Sequence, residues 1–193
     1  MNIEYTIAER AERILEAVKE EVSTDPVEIY EHVAQIPAVR IHGPEHHILD
    51  GSCVIMAYAN AGGKLPASLD ECLGKLSYEG QRMPGAMCGL WGACGAATSV
   101  GAALSVLEGT GPLSTEDWSS HMQYTIAALS GISSAGGPRC CKRDAFFALT
   151  AAVPYIEQRY GVKLRTHDIV CTFYPQNKQC LGAVCPFNKN HKA

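Results

Sequence analysis

The sequence has little net charge of either sign, no long apolar run and almost no strand-like alternation. Its 193 residues carry 16 Lys and Arg against 20 Asp and Glu, a net charge of -4. A surface of that sign does not track phosphates, so nucleic acid is excluded as a partner. Every apolar stretch is broken by Gly, Ser or a charge before it could span a bilayer, which excludes a membrane span. Residues 1–22 are amphipathic and contain Glu4, Glu9, Glu12 and Glu16. They therefore read as a surface helix rather than a secretion signal, and the expected location is cytoplasmic. A Walker-type phosphate loop, a dinucleotide fingerprint and a nucleophile elbow are all missing, as is a Cys-x-x-Cys pair on a βαβ frame.

What the sequence has in quantity is cysteine, nine in all. A chain of this length buries an adequate core without disulfide staples. In a reducing compartment thiols persist, and dense cysteine usage then points to metal or redox chemistry.

Helix signals are frequent. Thr6 with Glu9 forms a capping box ahead of Ile7, Ile14, Leu15 and Val18, and Ser68 with Glu71 forms another ahead of Cys72, Leu73 and Leu76. Asp25-Pro26 with Glu28 opens a helix that turns Ile29 and Val33 inward. Ser114 with Asp117 predicts one running through Trp118, Met122 and Ile126 towards Gly131. A helix from about Cys141 to Tyr160 stops at Gly161 and contains Pro154. Two more are expected near Gly51–Gly62 and Gly92–Leu107. The second repeats small residues at Gly92, Ala96, Ser99 and Ala103, a face that admits another backbone at close range. Only Val162–Leu164 and Ile169–Thr172 look strand-like. The expected fold is mainly α: a compact single-domain helical bundle over 1–193. It has an irregular cysteine-rich C-terminal segment and at most one short strand pair.

Four groups of residues can carry chemistry. The run Cys171-x8-Cys180-x4-Cys185-Pro186 lies among Pro, Asn, Gly and Lys, where thiols bury little apolar surface and irregular backbone lets sulfurs converge on metal. Cys140-Cys141 sits where the Gly136-Gly137-Pro138 breaker meets a helix, between Arg139 and Lys142-Arg143. Helix-end N–H groups and cations there favour thiolate. In Cys88-Gly-Leu-Trp-Gly-Ala-Cys94-Gly, glycines expose N–H groups able to wrap a cluster or an anion. In His42-Gly-Pro-Glu-His46-His47-Ile-Leu-Asp50, one histidine could act as ligand or general base, with Asp50 as the cap of the following helix. Cys53, Cys72, His32 and His121 read as structural.

Taken together, His42-Gly-Pro-Glu-His-His…Asp50-Gly51, Cys88-Gly-x2-Gly-x-Cys-Gly, Arg139-Cys-Cys-Lys-Arg and Cys171…Cys180…Cys185-Pro186-Phe187 resemble an uncharacterised cysteine-rich domain of anaerobic bacteria and methanogenic archaea. That domain stands alone or accompanies radical-SAM enzymes and SAM-dependent methyltransferases. The resemblance covers residues 40–190, beyond the N-terminal helices of 1–38, and implies an iron–sulfur-rich setting.

The expected function is binding of an iron–sulfur cluster, of the 4Fe–4S kind, with redox or sulfur chemistry as the expected enzymatic use. The metal ligands would come from Cys171, Cys180, Cys185, Cys140, Cys141, Cys88 and Cys94. His46, His47, Arg139 and Arg143 would line a pocket for a small anionic substrate as proton carrier and anion clamp. A partner redox protein and a homodimer belong to the same expectation. Two alternatives stay open: a zinc-stabilised accessory module for a partner enzyme, and a metal-free thiol oxidoreductase on Cys140-Cys141 or Cys88 and Cys94.

Overall fold

Residues 4–191 are described by a computed structural model. They form eight α-helices: α1 (Ile7–Lys19), α2 (Pro26–Val33), α3 (His46–Asn60), α4 (Leu69–Arg82), α5 (Met87–Leu90), α6 (Gly95–Glu108), α7 (Ser120–Ala135) and α8 (Cys141–Tyr160). Two 3-10 turns, Tyr174–Gln176 and Gly182–Val184, shape the tail. No strand occurs among the described residues.

The helices begin where local chemistry satisfies their first N–H groups. Thr6 and Glu9 cap α1 reciprocally, Ser68 and Glu71 do the same for α4, and the Asp25 carboxylate accepts from the Val27 and Glu28 N–H groups at the start of α2. α8 and α6 end in left-handed glycines, Gly161 and Gly109, as the sequence anticipates for α8.

α3 is the axis of the molecule. Every residue from His46 to Tyr58 is buried, and α1, α2, α4, α6 and α8 pack around it. A helix buried on all sides belongs to a core, yet this one places His46, His47, Asp50 and Ser52 there. Its longest contact is with α6. The small-residue face of α6 makes that contact possible: the Gly51 N–H donates to Ser99 Oγ at 2.9 Å, and a Cβ at position 51 would lie 2.6 Å from the Ser99 carbonyl oxygen. That face is therefore filled within the chain rather than by a second copy.

The helix predicted from Ser114 starts later, at Ser120; Trp118, Met122 and Ile126 face solvent, with Ile126 68% exposed, and α7 buries Tyr124, Ala128 and Ile132. The larger side chains set the wrong phase, because the segment before Ser120 is a turn and not the first turn of the helix. Val162–Leu164 and Ile169–Thr172 lie in an irregular segment after α8. Isolated main-chain bonds, Arg165 N–H to Thr24 (3.1 Å) and Cys171 N–H to Phe187 (2.7 Å), stand in place of a ladder. Among the described residues, no helix is long and apolar enough to cross a membrane.

Candidate functional site

The first turn of α8 separates two cavities. Cys140, its N-cap, faces the C-terminal tail, and Cys141 faces the first turn of α3. Adjacent side chains diverge at a helix start, so the vicinal pair contributes one thiol to each side rather than both to one.

On the tail side, Cys140, Cys171, Cys180 and Cys185 line one narrow cavity of about 20 Å³ together with Lys142, Arg143 and Asn177. The chain reaches this convergence from two separate regions, the start of α8 and the C-terminal run. Donors already point at two of the sulfurs. Cys140 Sγ accepts from the Arg143 N–H and from Asn177 Nδ2, both at 3.4 Å, and Cys180 Sγ accepts from the Gly182 N–H at 3.3 Å. Asn177 also accepts from His42 Nε2 at 3.0 Å, which ties the tail to the loop before α3. That bond fixes the His42 proton on Nε2.

Two cations flank the thiols. Lys142 is almost fully buried; its ammonium donates to the Ala34 carbonyl at 3.4 Å and lies over the Phe173 and Tyr30 rings. Burial pushes its pKa down to about 8. Arg143 bonds Asp144 (3.1 Å) and the carbonyls of Gly136 (2.8 Å) and Pro138 (3.2 Å), closing the loop before α8. One of its terminal nitrogens, Nη1, is buried with no partner among the described residues.

On the other side, a cavity of about 320 Å³ is lined by the first turns of α3, α6 and α8: His46, His47 and Asp50, then Cys94 to Ala96, then Cys141 and Asp144. His42, Cys88 and the exposed Arg139 stand at its margin. Gly95 is required by contact, because a Cβ there would fall inside the His47 ring. Both His46 nitrogens are engaged. Nε2 faces the Arg40 carbonyl at 3.0 Å, so it carries the proton, and Nδ1 accepts from the Tyr30 hydroxyl at 3.2 Å. Burial, then Lys142, pushes His46 down to about 3, and it is neutral at physiological pH. Burial lowers His47 as well, and its Nδ1 is unpartnered. Asp50 is fully buried and neither of its oxygens has a hydrogen bond; desolvation drives its pKa well up, which favours the neutral acid over the carboxylate.

Beside them, burial alone would raise the Glu45 carboxyl, but the Arg40 guanidinium, bound at 3.0 and 2.6 Å, wins and holds it at about 2. Cys94 donates weakly to Asp144 at 3.7 Å.

The expected thiolate character of Cys140 and Cys141 is not found. Burial raises both thiols, Cys141 to about 12, and outweighs the helix end and the N–H contacts that lower them. The flanking cations do not offset this, since Lys142 lies over aromatic rings and the Arg143 Nε is bound by Asp144. Asp50 lies inside α3, five positions after its cap Glu45, and does not cap it.

The predicted ligands thus divide. Cys140, Cys171, Cys180 and Cys185 share the tail cavity, and Cys88, Cys94 and Cys141 line the other. Of the predicted catalytic residues, His46, His47 and Arg139 line the larger cavity, and Arg143 braces the wall between the two. Cys53 and Cys72 are core residues, as expected. Sequence reasoning missed Asp144 and Asn177, whose positions depend on long-range packing. Among the described residues, no three Cys, His, Asp or Glu side chains gather closely enough to hold a single metal ion.

No curated protein and no solved structure matches the chain. A family model does match, over residues 14–188, which takes in both cavities. The chain belongs to that family, a family of unknown function (DUF5714).

Proposed function

We propose that the chain binds an iron–sulfur cluster through Cys140, Cys171, Cys180 and Cys185 and works in electron transfer or sulfur chemistry inside the cell. The observation that carries this reading is the gathering of three thiols of the C-terminal run with the remote Cys140 around one cavity, with N–H groups already directed at two of them. Four cysteines are the usual ligand set of such clusters, and N–H···S bonds are among the levers that tune them.

The donor set fits the group in charge as well. A cluster held by thiolates is anionic, and buried Lys142 and the unpartnered Nη1 of Arg143 are the cations beside it. Each thiolate of a cluster binds a separate iron, so the sulfurs stand around its edge. A single zinc ion instead needs all four within about 2.3 Å of one centre. The raised pKa values of Cys140, Cys141 and Cys171 weigh against a metal-free thiol oxidoreductase, whose nucleophile must be thiolate.

When bound, an all-thiolate cluster supplies one-electron transfer. The chain's own residues do the rest: Asn177 and the Arg143 and Gly182 N–H groups orient sulfurs, and Phe146, Phe173 and Phe187 exclude water from the inner wall. The cavity of about 20 Å³ has room for roughly one water. Loading therefore requires the 171–188 segment to stand further from α8, coupling metal binding to the placement of the tail. The resemblance to domains found with radical-SAM enzymes in anaerobes supports the same setting, with a partner redox protein as the electron source.

The test is anaerobic purification with iron, sulfide and zinc determined per chain, repeated for single Cys→Ser variants. Loss of colour in Cys140→Ser as well as in Cys171→Ser, Cys180→Ser and Cys185→Ser supports the four-ligand assignment. Stoichiometric zinc without colour overturns it in favour of an accessory module.

A further inference from the structure

We infer that the 320 Å³ cavity on the far side of α8 is a binding site for a small monocarboxylate, with Asp50 and Arg139 as its principal recognition groups. The site is separate from the cysteine cavity and does not depend on it.

Three observations lead there. The first turns of α3, α6 and α8, helices of 15, 14 and 20 residues, all line this one space. Each brings the positive end of its dipole, and neither α3 nor α6 has a side-chain cap hydrogen bond to quench it. Second, fully buried Asp50 lines the cavity with neither carboxyl oxygen hydrogen-bonded. A buried polar group left open in this way is costly unless something completes it. Third, the remaining charges cancel in pairs. Arg40 is bound by Glu45 and Asp144 by Arg143, which leaves Arg139 at the rim and Lys142 behind the wall as the cations without a carboxylate bond among the described residues.

The sum of these fields repels a cation and attracts a single negative charge. Asp50, as a carboxylic acid, donates to a carboxylate oxygen. A carboxylate reaching from Arg139 to Asp50 would gain one ion pair and one charge-assisted hydrogen bond. A dianion such as phosphate would set its second charge against Asp144. The apolar part of the lining, Met87 with Ala96 and Pro44, suits a short hydrocarbon body.

The experiment is titration of the anaerobically purified full chain with acetate and propanoate, read by calorimetry and by thermal shift at constant ionic strength. Acetamide, ethylammonium and inorganic phosphate are the charge controls. Saturable binding of the carboxylates alone is expected, weakened about tenfold or more in Arg139→Gln and in Asp50→Leu, which removes the donor. Arg139 is exposed, so its replacement leaves folding intact and keeps the test informative if Asp50→Leu is destabilised. Cys180→Ser should bind the carboxylates as the parent does, which separates this site from failure or success of the cluster. Preference for ethylammonium, acetamide or phosphate would overturn the assignment, as would no saturable binding or carboxylate affinity unchanged in both variants.

Discussion

At the scale of the single residue, burial decides the chemistry more than sequence neighbours do. Cys94 sits at a helix N-terminus, a position that lowers thiol pKa values when exposed, yet desolvation and Asp144 raise it well above the ordinary range. Cys53 is raised likewise by burial, and Cys88 is exposed. In metal-free protein, brief alkylation under native conditions should modify Cys88 and leave Cys53 and Cys94 untouched, as mass spectrometry of the digest would show. Early labelling of Cys94 would contradict its burial. Gly95 makes a second case. The ring of His47 occupies the place of a Cβ, so Gly95→Ala must displace the ring or the α6 start. A loss of about 1–3 kcal/mol is expected by denaturant titration, the usual cost of overpacking. A neutral result would mean that His47 moves freely.

At the scale of the element, capping chemistry was legible in advance and side-chain phase was only partly so. Thr6 with Glu9, Ser68 with Glu71 and Asp25 each mark a helix start found in the structure, because a cap is a contact between residues three apart. α7 shows the limit: Trp118, Met122 and Ile126 match helical spacing as well as Tyr124, Ala128 and Ile132 do, and only the neighbouring α6 and α8 select the second set. The segment after α8 is held by contacts that no periodicity encodes. His167 Nδ1 pairs with Asp25 at 2.8 Å and Nε2 with Glu31 at 3.3 Å, fastening that segment to α2. Desolvation works to lower the His167 pKa, but the two carboxylates prevail and raise it. A raised folded pKa stabilises the protein fully below the unfolded value of about 6.5, and the contribution disappears as pH rises through the higher folded value. The stability difference between the parent and His167→Gln should therefore be larger near about pH 6 than near about pH 8.5. Equal differences at both would show the pairing to be energetically idle.

At the scale of the whole molecule, the helix order brings the starts of α3, α6 and α8 to one region and lays the tail across it. The cysteine motifs were visible in sequence, but their division was not. Which of seven thiols meet depends on the angle at which α8 leaves the Gly136–Arg139 loop and on the His42–Asn177–Cys140 chain that anchors the tail. The tail cavity is too small for a cluster as it stands, so metal content and tail position are linked. Chelation of iron should let residues 171–188 close onto α8 and slow limited proteolysis within that segment, read by mass spectrometry. Unchanged protection after metal removal would break that link.

The central claim is that Cys140, Cys171, Cys180 and Cys185 together hold an iron–sulfur cluster, and the most direct measurement is iron and acid-labile sulfide per chain in anaerobically purified protein. The account predicts about four of each, with visible absorption lost in every one of the four Cys→Ser variants and retained in Cys88→Ser and Cys94→Ser. Iron and sulfide near zero in protein isolated without oxygen, or colour that survives Cys140→Ser, would contradict it.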